Sequence, residues 1–148
     1  MTSTFESLQN TIESTGHYED PGTFDMLRNS LRRVDGIIGM VLLSNEGIAK
    51  AAYGLPTDDA QLIAAACSGM ASLSASISQA VDGGDVLHTV VTMKARNVIV
   101  TACGDGSTLL VVVGASAQIG LALGEIIRKA KAYAAQMGTL ARAELPAR

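Results

Sequence analysis

Residues 98–114 read VIVTACGDGSTLLVVVG, and the glycines at 104 and 106 admit two readings that lead to different folds. A phosphate-binding loop would set a glycine-rich turn between a strand and a helix. A hairpin would turn one strand straight back on the next. A P-loop needs GxxxxGK[ST], because its lysine must reach the phosphates, and no lysine follows the second glycine here. A dinucleotide fingerprint needs GxGxxG opening a helix, whereas Gly106 is followed by Ser107, Thr108 and Leu109, the start of a β-rich run. Asp105-Gly106 between two such runs is the pattern of a two-residue hairpin turn, whose central positions favour positive φ. The stretch is therefore read as two antiparallel strands, Asn97–Ala102 and Thr108–Val113.

The neighbouring segments extend that sheet. Val86–Met93 is separated from Asn97 only by Lys94-Ala95-Arg96, and so short a connection forces antiparallel pairing. Ile37–Leu43 is a nearly unbroken apolar run, as in a strand covered on both faces. Ser44-Asn45-Glu46-Gly47 turns it into Ile48–Tyr53, where Lys50 suits an exposed edge.

Helical spacing appears around these strands. Thr23 is expected to cap a first helix with Phe24, Leu27, Leu31 and Val34 on its apolar side and Asp35-Gly36 at its end. A second helix, Asp58–Ala80, starts at Pro56-Thr57, with Thr57 or Asp58 as cap, and stops at Gly83-Gly84. Its larger residues, Ile63, Ala66, Met70, Leu73, Ile77 and Ala80, recur every three or four positions and are expected to lie on the sheet. Ser116 is expected to cap a last helix running to about Gly138, with Ile119, Leu123, Ile126, Ala130, Tyr133 and Met137 inward. Glu125, Arg128, Lys129 and Lys131 give that helix a wet side.

The order is α-ββ-α-βββ-α. Five antiparallel strands with apolar residues on both faces need helices on both sides, which predicts a three-layer α/β/α sandwich of the α+β class. The domain is expected over residues 23–140. Residues 1–22 form an extension, with Phe5, Leu8 and Ile12 at helical spacing, and residues 141–148 a tail.

Composition narrows the function classes. At 148 residues the chain fits one domain with a sizeable core. It is 48% hydrophobic but only 3% aromatic, without Trp, so Ala, Val, Ile, Leu and Met must build that core. A net charge of -3 gives no electrostatic case for nucleic acid. Cys67 and Cys103 lack a C-x-x-C spacing and read as small buried thiols in a reducing compartment. The N-terminus shows no basic segment followed by an apolar core, so a cytoplasmic location is expected. Residues 60–81 carry no charge and could span a bilayer by length, but Ser and Gln recur through them, so membrane insertion is not expected.

Catalytic constellations are not found. Gly114-Ala115-Ser116-Ala117-Gln118 lacks the last glycine of a GxSxG elbow. The two histidines, His17 and His88, make neither a triad nor a metal site, and no cofactor-binding pattern stands out. The informative feature is the charge-free second helix. An ordinary surface helix carries Lys, Glu or Arg on its outer side. Here that side reads Ala64, Ala65, Ser68, Gly69, Ser72, Ala75, Ser76 and Gln79. Small residues four apart permit close approach by another chain, and a glycine inside a helix costs roughly 1 kcal/mol relative to Ala. Ala65, Ser68, Gly69, Ser72 and Ser76 are therefore the expected partner-binding residues of an interaction protein.

The order of elements and several phrases resemble the roadblock/dynein light-chain family, in its bacterial gliding-motility or actinobacterial conservon-type members. The phrases are VDGIIGMVLLSNEGIAKAAYGLP, LIAAACSGMASLSASISQA, VVTMKARNVIVTACGDGSTLLVVVG and ASAQIGLALGEIIRKA. The resemblance implies a homodimer in which the middle helices pack together and the following strand pairs across the two-fold axis. On this chain those are Asp58–Ala80 and Val86–Met93, with Met70, Ile77, His88, Val90 and Thr92 at the dimer contact. It also implies a small Ras-like GTPase as partner, docked on the paired helices, and in actinobacterial members a sensor-kinase-like protein encoded nearby. Such a protein would have no active site of its own and would stimulate GTP hydrolysis by reshaping the GTPase. Two alternatives stay open: a dimeric scaffold with no effect on turnover, and a small-ligand sensor with a pocket around His88 and Thr92.

Overall fold

The structure, a computed structural model, describes residues 21–144, residues 45 and 105 apart. The elements are α1 (Pro21–Leu31), β1 (Ile37–Leu43), β2 (Ala49–Tyr53), α2 (Thr57–Val81), β3 (His88–Thr92), β4 (Arg96–Ala102), β5 (Thr108–Gly114) and α3 (Ile119–Glu144). This is the expected order. The strands form one antiparallel sheet in the order β2-β1-β5-β4-β3.

The two strands that are apolar on both faces, β1 and β5, pair at the middle of the sheet, Met40 opposite Val111. Alternate residues of these strands then enter two separate cores. On one face Met40, Leu42, Leu109, Val111 and Val113 pack with Leu27 and Leu31 of α1 and Ala122, Ile126, Ala130 and Tyr133 of α3. On the other, Val41, Leu43, Ala52, Leu110 and Val112 pack with Ala60, Ala64 and Cys67 of α2. The result is three layers. Cys103 belongs to the first core and Cys67 to the second, with the sheet between the two thiols.

Several boundaries differ from the sequence expectation, for local reasons. Helix α1 starts at Pro21 rather than Thr23, a place where a missing N–H costs no helical bond. It ends at Leu31, because the chain must still turn through Gly36, at φ +87, where a Cβ would stand 2.8 Å from that of Ala117. Helix α2 begins at Thr57 with Pro56 in the cap position, its carbonyl accepting the Ala60 N–H at 2.9 Å, so neither Thr57 nor Asp58 is the cap residue. Its last carbonyls are closed by Asp82 in the left-handed region, with Gly83 donating its N–H to the Ser78 carbonyl at 2.9 Å. Ser116 does not cap α3. It lies in the turn closed by Ala117 N–H to the Gly114 carbonyl at 3.1 Å, and the Gln118 carbonyl accepts the Ala122 N–H at 3.0 Å. Helix α3 continues to Glu144, past the expected end near Gly138, while the side chain of Met137 lies outside the described residues.

The β4–β5 connection is a hairpin, as read from the sequence, but a wider one. Cys103 N–H donates to the Ser107 carbonyl at 3.0 Å, and the positive φ values fall on Gly104 and Gly106.

The two edges of the sheet are not alike. On β2 the register slips between Ala51, opposite Leu42, and Ala49, opposite Leu43, leaving Lys50 as the extra residue of a bulge. A bulge and a lysine both discourage further pairing. The β3 edge, His88–Thr92, keeps a continuous register with β4 and carries neither.

Candidate docking surface

The sheet face under α2 is already bulky, with Val41, Leu43, Leu110 and Val112. A helix can settle close to such a face only through small side chains, and α2 does so with Ala60, Ala64 and Cys67, all at most 5% exposed. At about 100° per residue these three share an arc of the helix. The larger residues fall elsewhere. Leu62, Ala66, Leu73, Ile77 and Ala80 lie roughly 140° further round, and Leu73 and Ile77 are 68% and 64% exposed.

This overturns one expectation. Leu73, Ile77, Ala66 and Ala80 do not lie on the sheet, and Ala64, expected outside, does. Ile63 and Met70 alone of the larger set pack against the core, each partly covered. The volume of the sheet side chains decided which of two competing stripes went inward.

Between Asp59 and Asp82 the helix therefore shows two uncharged surfaces outward: the apolar stripe and, beside it, a stripe of small residues. Ala65, Gly69, Ser72 and Ser76 share the second stripe and are all exposed. Ser68 is also exposed but sits toward the β1–β2 turn, where a Cβ on Gly47 would run into its hydroxyl. The Ser68 and Ser76 hydroxyls donate to the carbonyls of Ala64 and Ser72, at 3.3 and 3.1 Å, so these serines are partly satisfied within the helix.

The expected dimer residues are spread over two places. Ile77 stands on the apolar stripe, whereas Met70 is half-buried beneath it. His88, Val90 and Thr92 are exposed on β3, opposite Thr101, Ile99 and Asn97 in register. Directly opposed residues share a sheet face, so these three point to the α1 and α3 side. On the α2 side β3 offers Thr89 and Val91 instead, opposite Val100 and Val98. Sequence reasoning missed Leu62, Val81 and Leu87, exposed by 69% to 71% along or just beyond the same helix. The spacing of Leu62 with Leu73 and Ile77 was the signal for the first of these.

The profile of the Roadblock/LC7 domain matches residues 23–113. The chain belongs to the Roadblock/LC7 family. Among solved structures, a Roadblock/LC7 domain from Streptomyces avermitilis is 32% identical, with a TM-score of 0.69, covering 76% of this chain and 96% of that one. The gliding protein MglB from Thermus thermophilus is similar at 17% identity and TM-score 0.66, covering 76% of this chain and 86% of its own. MglB from Myxococcus xanthus is similar at 12% identity and TM-score 0.68, covering 82% and 93%. At these identities the two MglB proteins share the Roadblock fold with this chain. No curated protein sequence matches the chain.

The Roadblock match spans all five strands and the charge-free helix between them. Among the described residues, no three His, Cys, Asp or Glu side chains gather as a metal-binding group. Arg128 is ion-paired with Glu125 on α3, across the sheet from α2, whereas Arg96, in step with Val98 and Val100 along β4, is on the sheet face that carries α2.

Proposed function

We propose that this Roadblock chain is a homodimeric, non-catalytic regulatory adaptor that docks a small Ras-like GTPase on α2. One observation carries the reading: α2 is uncharged from Ala60 to Val81, yet only its narrow Ala60–Ala64–Cys67 side is covered. The apolar stripe of Leu62, Leu73 and Ile77, with the unblunted β3 edge, is the surface for the second copy. The small stripe of Ala65, Gly69, Ser72 and Ser76, with Ser68 at its flank, is the surface for the GTPase. By length and composition Asp58–Val81 would also suit a bilayer. Aspartates at both ends (Asp58 and Asp59, Asp82 and Asp85) oppose an anionic lipid surface, and serines on successive turns favour a protein partner. With no arginine on α2 itself, stimulation of hydrolysis works through the GTPase's own switch loops. The cytoplasm is the compartment this reading requires.

The test uses the full chain and the small GTPase encoded nearest to it. Gly69→Arg is expected to weaken binding by at least about a hundredfold, some 3 kcal/mol, with an unchanged circular dichroism spectrum. Gly69→Ala, whose Cβ meets nothing within 4 Å of this chain, is expected to fold at least as stably and to bind with an intermediate loss. Wild-type affinity in Gly69→Arg would remove α2 from the interface. Faster GTP turnover on binding marks a regulator, and binding without it marks a scaffold.

A further inference from the structure

Helix α2 holds to the sheet only along its first half. Beyond Met70, Ser74 and Ser78 alone are even partly covered, because a straight helix leaves a twisted sheet behind. A cleft of about 650 Å³ opens beneath that second half, within the range of small-molecule sites. Its roof is Cys67, Met70, Ala71 and Ala75, and its floor Leu43, Val100 and Ala102. Val86, Leu87 and Thr89 form one lip, and the Ser44–Gly47 turn, held against Ser68, closes the other end.

The charge of this cleft is one-sided. Glu46 and Asp85 line it, and no lysine or arginine does. Phosphates and nucleotides are therefore disfavoured. So is the chain's own N-terminus, since residues 1–20 hold Glu6, Glu13, Glu19 and Asp20 and neither Lys nor Arg. Of the His88–Thr92 pair anticipated from the sequence, His88 lines the cleft and Thr92 does not, and Gln79, Thr89 and Thr108 offer further hydrogen-bonding groups.

We infer that the cleft between α2 and the β3–β4–β5 face is a binding site for a small organic cation with an apolar body. The body lies between Met70, Ala75 and Val100, and the cationic head meets Asp85 beside the Val86–Leu87 lip, with Glu46 adding negative charge from the far end. The hold is non-covalent, because burial pushes the Cys67 thiol up to about 11 and keeps it protonated. The site is on the underside of α2; it shares Ser68 and His88 with the margins of the docking surfaces but rests on the cleft and not on the docking reading.

The probes are three fluorescent dyes of similar size: cationic thioflavin T, neutral N-phenylnaphthylamine and anionic anilinonaphthalene sulfonate. With the full chain, thioflavin T is expected to bind saturably, one per protomer, at least about tenfold tighter than the sulfonate. Glu46→Gln with Asp85→Asn should weaken thioflavin T several-fold and leave the neutral dye unmoved. Ala75→Phe, and independently Ala71→Leu, should fill the cleft and abolish both, with circular dichroism confirming that each variant is folded. Leu121→Gln, exposed on α3 across the sheet, should change neither. The inference fails if no dye saturates, if the anion binds as well as the cation, if binding survives both filling variants, or if Leu121→Gln removes it.

Discussion

Two glycines show how differently one residue type can be required. Gly36 is fixed by its own fold, through a positive φ and the Ala117 methyl facing it. Gly69 is in ordinary helix, exposed, with open space where a Cβ would stand, so nothing in this protomer asks for it. Cys67 is a third case, a polar atom tolerated because it is neutral. Its thiol is raised by burial from 9.0 to about 11, so the folded state prefers the protonated form more strongly than the unfolded chain does. That contribution to stability is complete below pH 9.0 and is lost as pH rises toward about 11. Urea midpoints measured across this window should fall more steeply for the native chain than for Cys67→Ala. Parallel curves would show that the thiol takes no part.

Helix α2 carries two periodic stripes, and only one can meet the sheet. Because the small stripe is the packed one, enlarging it should be costly and trimming the large one should not. Ala64→Leu is expected to destabilise the protomer by about 1–3 kcal/mol through overpacking, and Leu73→Ser by less than about 0.5 kcal/mol. Chemical denaturation at concentrations low enough to keep the chain monomeric checks both, and the reverse ranking would restore the large stripe to the core. This is also where sequence reading reached its limit. Apolar runs such as Ile37–Leu43 located the strands directly, because a strand buried on both faces has no competing pattern. The orientation of α2 depended on the volume of Val41, Leu43, Leu110 and Val112, residues far from it in the chain. Helix starts were misplaced for a similar reason: Ser116 has a capping side chain, but the Gly36–Ala117 contact holds it in a turn.

At the scale of the molecule, short connections made the order α-ββ-α-βββ-α legible, and patterning made the three layers legible. The strand order was not, because the central β1–β5 pairing joins segments at opposite ends of the domain, Leu43 meeting Thr108. That order is what leaves β3 at one margin and β2 at the other. Val90→Lys, on an exposed position of β3, is expected to lower self-association at least about tenfold while preserving the protomer, as read by sedimentation. An unchanged equilibrium would mean that copies meet without this strand. The contrast with β2, blunted by the Lys50 bulge, has a consequence for growth. A sheet with two open margins can be extended at both and polymerise without limit. A sheet with one has a valence of one, so joining a second copy consumes it and presents only blunted margins to a third. The same asymmetry that leaves one strand unpaired thus terminates the chain reaction that an unpaired strand would otherwise start.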